Sequence, residues 1–369
     1  MKRFLSLLLC VMLCMTVFAG CASTDSGAKH TDSSSNAVGS SNSGDVITIK
    51  LAHNFAASHP VSTTLESVAA ELDEQSGGTI KLDIYGAGAL GSNGEITQQM
   101  IAAEIDSVVN GACDNYAAYN PLLYVEDLPF LYPDVETAYK AYDGAYGEAL
   151  AKIIDDIGCH TVAFWENGSR QMTNNVRPVT TPSDMAGLKM RSANATLFIK
   201  FFECLDCTVT MVDMSELFSA LQQGMVDGQE NPLNIILSSS YYEVQKYCTL
   251  TNHIYLSAPV VFNADVWNSY PAEVQDMLTK AFEKGTADQR AASQEMDSTA
   301  RAKLEEYGMQ VDDVTDHEEW VTALAPVWDF FKSEYGNSHK SGASGLISDS
   351  VSGGALSRFS LRQYSAGVL

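Results

Sequence analysis

The order of strand-type and helix-type patterns most constrains the fold of this chain. Residues 46–51 alternate apolar and polar side chains as a strand does, and residues 60–74 carry apolar side chains on one helical face. The pair Gly77-Gly78 separates this helix from a second strand pattern at 79–85, and a helix pattern follows at 94–103. Such alternation is typical of sheets whose strands are joined by helices, so we expect an α/β fold.

The chain of 369 residues exceeds what one hydrophobic core usually holds, which favours two lobes. We expect strands at 159–165 and 259–263 to carry the chain between the lobes, with a turn at Asn167-Gly168. Long helical periodicity over 271–307 predicts a helix that braces both lobes. The predicted architecture is a two-lobe α/β clamp with a hinge. Lobe I would comprise 45–167 and 257–296, and lobe II 168–256 and 297–336.

The N-terminus has the pattern of a secretion signal, with Lys2 and Arg3 before an apolar run at 4–18. The small pair Ala-Gly before Cys21 resembles a bacterial lipobox, which implies cleavage after residue 20 and acylation of the Cys21 thiol. A plain secretory signal is the alternative. Residues 21–44 are rich in Ser, Thr, Gly and Asp, which predicts a flexible tether that holds the body at the outer face of the cell membrane.

Charge and composition restrict the partners of the folded body. With 46 acidic and 22 basic residues the net charge is -24, which repels nucleic-acid phosphates, so we expect no nucleic-acid partner. No stretch after the signal approaches the length of a membrane span, and we expect contact with the membrane only through the lipid anchor. Residues 337–369 are again rich in Ser and Gly, which predicts a disordered tail.

Five cysteines follow Cys21, and an odd, scattered set is a poor disulfide framework. The Cys204-x-x-Cys207 pair has the spacing of a redox motif, but no second pair lies nearby to complete a zinc site. We expect buried thiols, with a single disulfide as the alternative. The remaining three cysteines are Cys113, Cys159 and Cys248.

Three segments carry a more specific pattern. They read Asn-Gly-Ser-Arg-Gln-Met-Thr-Asn at 167–174, Gly-Leu-Lys-Met-Arg at 187–191, and Leu-Gln-Gln-Gly-Met-Val-Asp-Gly-Gln-Glu-Asn-Pro at 221–232. Their order and spacing resemble the solute receptors of tripartite ATP-independent periplasmic (TRAP) transporters, over residues 46–335. The resemblance implies a periplasmic-binding-protein-like clamp that captures an organic acid and delivers it to the TRAP membrane permease subunits.

The resemblance also implies which side chains bind the ligand. Arg191 would pair with the ligand carboxylate, and the planar fork of a guanidinium suits that geometry. For Arg191 the alternative is a solvated or interlobe salt bridge. Arg170 would reach a second ligand oxygen, with a structural role as the alternative. For Asn194 the alternative is a helix cap, and for Met214 it is a core position. The full predicted set is Arg191, Arg170, Asn231, Asn194, Asn54, Asn93 and Met214.

Catalysis has little support in the sequence, which carries no phosphate-binding glycine loop, nucleophile elbow or close His/Glu metal pair. We therefore expect no enzyme activity, metal or cofactor. For the ligand, a uronate or a C4-dicarboxylate both fit two arginines and several amides. Two other functions stay open: a carboxylate receptor for an ABC importer or a sensor kinase, and a secreted lyase or hydrolase.

Overall fold

A computed structural model describes residues 46–336, and these contain ten strands, ten α-helices and four short 3-10 turns. The strands are β1 (Ile47–His53), β2 (Ile80–Tyr85), β3 (Ser107–Val109), β4 (Cys159–Asn174), β5 (Lys189–Ser192), β6 (Thr208–Met211), β7 (Gly228–Pro232), β8 (Tyr247–Leu250), β9 (Tyr255–Asn263) and β10 (Gln310–Asp313). The helices are α1 (Pro60–Gln75), α2 (Asn93–Ile101), α3 (Val135–Tyr142), α4 (Ala145–Asp155), α5 (Thr196–Cys204), α6 (Met214–Gln222), α7 (Leu233–Ser238), α8 (Ala264–Ser269), α9 (Ala272–Glu306) and α10 (His317–Glu334). The 3-10 turns are Cys113–Tyr116, Pro121–Asp127, Pro182–Met185 and Tyr241–Glu243.

Two groups of strands meet on β4. The first group has the order β2-β1-β3-β9-β4, and the second continues as β4-β7-β5-β6, with β8 between β4 and β10. β1 pairs with β2 and β3 in parallel, as do β5 with β6 and β7, whereas β9 and β4 run antiparallel to their neighbours. Parallel strands joined by helices in both groups confirm the α/β prediction.

β4 is a continuous strand of 16 residues that takes part in both groups. Its first part pairs with β9 as far as Ser169, and from Arg170 onward it pairs with β7. The predicted turn at Asn167-Gly168 is wrong, because the register instead shifts between Glu166 and Gly168 while the strand continues. Gly168 has a φ of +123°, a backbone conformation that glycine adopts without strain. The extra residue on β4 therefore forms a β-bulge.

The predicted long helix is confirmed as α9, which runs for 35 residues. It contacts both strand groups. Lys284 pairs with Glu71 on α1 at 2.6 Å, and Arg301 pairs with Asp313 on β10 at 2.9 Å. Between these contacts the Gln289 side chain accepts from the backbone N–H of residue 166 at 2.7 Å and donates to its carbonyl at 2.8 Å. The helix is therefore fixed to β4 next to the bulge.

The buried apolar side chains form two core clusters, and each cluster draws on residues of both strand groups. Trp165, Phe262 and Phe282 pack together in one core, and Phe198, Phe201 and Phe202 belong to the other. Bulky rings of this kind give the largest burial per residue. No helix within residues 46–336 combines the length and apolar character that a membrane crossing requires.

The five cysteines after Cys21 are all free thiols. Cys113, Cys159 and Cys248 are buried, whereas Cys204 and Cys207 at the end of α5 are half-buried. The expected thiols are confirmed and the alternative of a single disulfide is wrong, but the burial expected of them holds for three of the five. The predicted signal at 1–20, the tether at 21–44 with its Cys21 lipid, and the tail at 337–369 lie outside the described residues. The lobe boundaries stay a prediction.

Candidate ligand-binding site

A cavity of about 560 Å³ lies where side chains of both strand groups converge. That volume falls within the range of small-molecule pockets, roughly 300–1,000 Å³. All seven predicted ligand-binding residues line this one cavity, although their contact with a ligand stays a prediction. They come from β4, β5, β7, the start of α2, the start of α6 and two loops, and are Arg170, Arg191, Asn231, Asn93, Met214, Asn54 and Asn194.

Arg191 is a buried cation without a carboxylate partner. It lies on β5 and is 4% exposed, and its Nε donates to the carbonyl of Val212 at 2.8 Å. Within residues 46–336 neither Nη atom has a hydrogen-bond partner, and Arg191 takes part in no ion pair. Burial lowers the pKa of its guanidinium, which Glu230 raises again in part. The cavity therefore contains a guanidinium whose two Nη atoms are available to donate hydrogen bonds to a ligand.

Arg170 differs from Arg191 because its charge is already balanced. Its Nε and Nη2 donate to the Glu230 carboxylate, and Nη2 also donates to Asn231 Oδ1 at 3.0 Å. Glu230 is fully buried and lies 3.3 Å from His253 Nε2. Burial alone would raise the pKa of the Glu230 carboxyl, but the charge of Arg170 and bonds from Arg170 and His253 lower it to about 2. Only Nη1 of Arg170 lacks a partner within residues 46–336.

Asn231 is held in place by its neighbours on β7 and β4. While its Oδ1 accepts from Arg170, its Nδ2 donates to Gln229 Oε1, and Gln229 in turn donates to Thr173 at 2.9 Å. All four side chains are buried. The Val-Asp-Gly-Gln-Glu-Asn-Pro run thus forms a strand whose polar side chains all have partners, and this fixes the amide at the cavity wall.

The first strand group contributes amides and a helix N-terminus. Asn54 follows β1 and donates to Asn93 Oδ1 at 2.8 Å, where α2 begins. Ser92 caps α2 with the help of Glu95, whose carboxylate accepts from the Ser92 backbone N–H at 2.7 Å. The positive end of the helix dipole therefore lies at the cavity, a location that favours anions.

The two remaining predicted residues occupy less constrained positions. Asn194 is exposed in the loop between β5 and α5, and the N-cap of α5 is Ala195, so Asn194 does not cap that helix. Met214 is the first residue of α6, half-buried, and its sulfur lies 3.5 Å from the Tyr241 hydroxyl. Met214 belongs to the cavity wall as well as to the apolar side of α6.

The sequence alone did not identify three further lining residues: Asn167, Asp114 and Phe198. Asn167 lies at the β4 bulge, and its Oδ1 is a buried acceptor without a donor within residues 46–336. It is part of the quoted 167–174 motif, so that motif could have pointed to it. The Phe198 ring lies 5.3 Å from the Arg170 guanidinium carbon and shields that charge from water.

Asp114 belongs to the 3-10 turn after β3, and no local motif marks it. Its Oδ1 accepts from Asn115 at 2.8 Å. Burial raises the pKa of the Asp114 carboxyl to about 7, repulsion from Glu126 adds to this, and Arg170 opposes it. Glu126 and Asp127 are almost fully buried below this turn, and burial raises the pKa of both carboxyls. This side of the cavity therefore carries three carboxyl groups whose ionisation is disfavoured by burial.

The described chain offers no metal centre, since no group of three or more His, Cys, Asp or Glu side chains within 46–336 could hold a metal ion. What the cavity does offer is one unbalanced guanidinium, a helix N-terminus and many amides. Six asparagines line it, namely Asn54, Asn93, Asn115, Asn167, Asn194 and Asn231. Amides both donate and accept hydrogen bonds, as recognition of a hydroxylated carboxylate requires.

Comparison with known proteins places this cavity in a family. Residues 51–334 match the model of the DctP family, described as bacterial extracellular solute-binding protein, family 7. The chain belongs to this family. DctP proteins are the solute-binding receptors of TRAP transporters, so the resemblance drawn from the three sequence segments is confirmed. The family is extracytoplasmic, and its members serve as receptors.

Individual relatives agree with this assignment. A solute-binding protein of Verminephrobacter eiseniae is 35% identical over 74% of this chain and 81% of its own. The 2,3-diketo-L-gulonate-binding periplasmic protein YiaO of Escherichia coli is 30% identical over 69% of this chain and 77% of its own. A TRAP solute-binding protein from Polaromonas, solved with D-erythronate, has a TM-score of 0.75 and 31% identity over 79% of this chain and 95% of its own. Such neighbours are two-lobe proteins, which confirms the predicted fold class.

Proposed function

We propose that this receptor captures a hydroxylated organic acid by pairing the ligand carboxylate with Arg191 and delivers it to a TRAP-type permease. The observation that carries the proposal is the buried Arg191 guanidinium, whose two Nη atoms have no partner within residues 46–336. A buried charge without a partner is costly, and an anion that enters the cavity relieves this cost.

The chemistry of the cavity wall supports a hydroxylated ligand. Six asparagines and the amide of Gln98 line it, and hydroxyl groups can both donate to and accept from amides. Two of the named relatives bind acids of this class, 2,3-diketo-L-gulonate for the Escherichia coli protein and D-erythronate for the Polaromonas protein. A uronate or related sugar acid is therefore the first candidate ligand, and a C4-dicarboxylate is the second.

Calorimetric titration of the chain from residue 21 onward, with Cys21→Ser, tests this proposal. D-erythronate, D-galacturonate, D-galactonate and succinate would be titrated into wild type and Arg191→Ala. Two charge-assisted hydrogen bonds at about 1.5–3 kcal/mol each predict a loss of two to four orders of magnitude in affinity. Binding in the variant within about tenfold of wild type would contradict the assignment of Arg191.

Arg177→Ala is the matched control for that titration. Arg177 also uses its guanidinium to bond backbone carbonyls, those of Asp184 and Ala186 at 2.8 and 2.6 Å, but it does not line the cavity. The substitution removes the same charge from the chain, and screening over a Debye length of about 8 Å makes its long-range effect small. We expect ligand affinity to stay within about twofold of wild type.

Delivery to the permease is tested by uptake of a radiolabelled acid into cells that produce the receptor and its permease. Arg191→Ala should abolish uptake. Collapse of the ion gradient with an ionophore, at constant ATP, should also stop it, because the transporters of this family are not ATP-driven. Uptake that instead follows the ATP level would favour the ABC-importer alternative. The receptor should release its ligand chemically unchanged, which NMR of the recovered acid would verify.

Attachment to the membrane through Cys21 is part of the proposal. Support comes from the basic start, the apolar run at 4–18 and the small pair before Cys21. A single acyl chain binds membranes only marginally, so a stable anchor requires more than one chain. Labelling of cells with an alkyne fatty acid should mark wild type and not Cys21→Ser, and the variant should move from the membrane fraction to the soluble one.

A further inference from the structure

The arginines that line the cavity leave a cationic partner for one ligand carboxylate and not for two. Arg170 and Arg191 are its only cationic side chains within residues 46–336. Glu230 balances Arg170 through a buried pair in which the two side chains are 0% and 5% exposed. Within residues 46–336, Arg191 is the one cavity arginine without a carboxylate partner. One ligand carboxylate can therefore pair with Arg191, whereas a second would have no cation left to pair with.

Asp114 places an acidic side chain on the wall of the same cavity. Three carboxylates line the cavity, and of these Glu95 and Asp213 are exposed while Asp114 is half-buried. Asp114 Oδ1 accepts from Asn115, and Oδ2 has no donor within residues 46–336. Glu126, whose carboxyl accepts from the backbone N–H of Cys113 at 2.6 Å, is a further acidic side chain next to the turn.

We propose that this cavity selects polyhydroxy acids with a single carboxylate, held with that carboxylate on Arg191 and a distal hydroxyl donating to Asp114, and discriminates against the matching dicarboxylic acids. The inference rests on the proposed function. A hydroxyl that donates to a carboxylate forms a charge-assisted bond. A carboxylate in the same place would face a like charge in a partly buried site, where repulsion is weakly screened.

Two ligand pairs isolate this feature, because the members of each differ only in oxidation of the terminal carbon. They are D-galactonate with galactarate, and D-erythronate with meso-tartrate. Titration calorimetry at pH 8 gives the affinity ratio of monoacid to diacid within each pair. In wild type we expect the monoacid of at least one pair to bind about 100-fold more tightly, as a like-charge contact at reduced dielectric implies. Equal or tighter binding of both diacids would overturn the inference.

Asp114→Asn should reduce this ratio by at least about tenfold, chiefly through tighter binding of the diacid. Glu104→Gln likewise replaces a carboxylate by its amide, but Glu104 is exposed and does not line the cavity. Solvent screens an exposed charge, so this control should leave the ratio within about twofold of wild type. An unchanged ratio in Asp114→Asn, or an equal change in both variants, would refute the role of Asp114.

The pH dependence of the wild-type ratio tests the same idea without a substitution. Burial raises the pKa of Asp114 to about 7. As the pH falls from 8 to 6, Asp114 gains a proton while the ligand carboxylates stay ionised, so diacid affinity should rise and the ratio should narrow. A ratio that is constant over this range contradicts the inference. The charged or titratable groups that act on Asp114 are Glu126, Asp127, Arg170, Glu230 and Arg191.

The outcomes separate this inference from the proposed function. If no acid binds wild type, or if binding is indifferent to Arg191→Ala, the proposed function fails and the inference fails with it. If both members of each pair bind equally well and both depend on Arg191, the proposed function stands and the selection of a single carboxylate is wrong.

Discussion

The buried pair of Glu230 with Arg170 makes a quantitative prediction for Glu230→Gln. The substitution keeps the shape of the side chain and removes its charge. Glu230 is 0% exposed, and its carboxylate accepts from Arg170 Nε and Nη2 while lying 3.3 Å from His253. After the change Arg170 becomes a second buried cation without a partner, and no other carboxylate within residues 46–336 lies in ion-pair distance of it.

Two independent routes give the size of the effect. Removal of one partner from a buried ion pair costs about 3–5 kcal/mol. The pKa of Glu230 falls from an ordinary value of 4.5 to about 2, a difference that corresponds to roughly 3 kcal/mol of stability. Both routes agree, so we expect Glu230→Gln to lower the free energy of unfolding by about 3–4 kcal/mol at pH 7.

Urea unfolding of wild type and variant between pH 7 and pH 3 measures this difference. The depressed pKa of Glu230 contributes stability that is fully present above the unfolded-state value of 4.5. That contribution decreases as the pH falls from 4.5 towards about 2, because the unfolded carboxyl takes up its proton first. The gap between the two proteins should therefore be constant near neutrality and narrow below pH 4.5.

Asp143→Asn provides the control, since Asp143 also forms a two-point pair, with Arg290 at 2.8 and 2.9 Å, but is 58% exposed. An exposed pair of this kind contributes about 0–1 kcal/mol. A loss below about 1 kcal/mol in Glu230→Gln, equal losses in both variants, or a gap independent of pH would each refute the reasoning.

Three further predictions concern the rest of the fold. Gly168→Ala should lower the free energy of unfolding, measured by calorimetry, by about 1–3 kcal/mol, because φ is +123° and the new Cβ would lie 3.1 Å from Pro232 Cβ. A decrease under about 0.5 kcal/mol would contradict the bulge geometry. Gln289→Leu removes the side chain that bonds the backbone N–H and carbonyl of residue 166. Urea unfolding should show a decrease of about 2–5 kcal/mol in the free energy of unfolding, and an unchanged urea midpoint would contradict this contact. After unfolding, Ellman's reagent should react with all five thiols of the folded body, and a count below five would reveal a disulfide. In the native protein the reagent should react slowest with Cys113 and Cys248, because burial raises the pKa of both thiols.

Much of the architecture and part of the site could be predicted from the sequence. The periodicity of 271–307 gave α9 within a residue at each end, because a long helix depends on a regular local pattern. The order of three motifs pointed to Arg170, Arg191 and Asn231, which the structure brings to one cavity. These residues could be predicted because each of the three motifs lies on a strand that forms part of the cavity wall.

Two features depended on contacts between distant segments, which local patterns do not encode. Asn167-Gly168 has the composition of a turn, yet pairing with β9 on one side and β7 on the other keeps the chain extended. Asp114 reaches the cavity through a 3-10 turn of four residues, and its own burial, with repulsion from Glu126, raises its pKa. Neither the turn nor the buried acid has a sequence signature of its own.

The pairing of β3 with β9 has a consequence for the order of folding. Ser107 Oγ donates to the carbonyl of Val261, 154 residues further along the chain. Until the segment up to Asn263 is available, β3 has an open edge and the first sheet cannot be completed. Closing so long a loop is slow, so pairing of β3 with β9 should come late in folding. The same topology that joins the two halves of the receptor thus makes completion of the first sheet depend on a segment far along the chain.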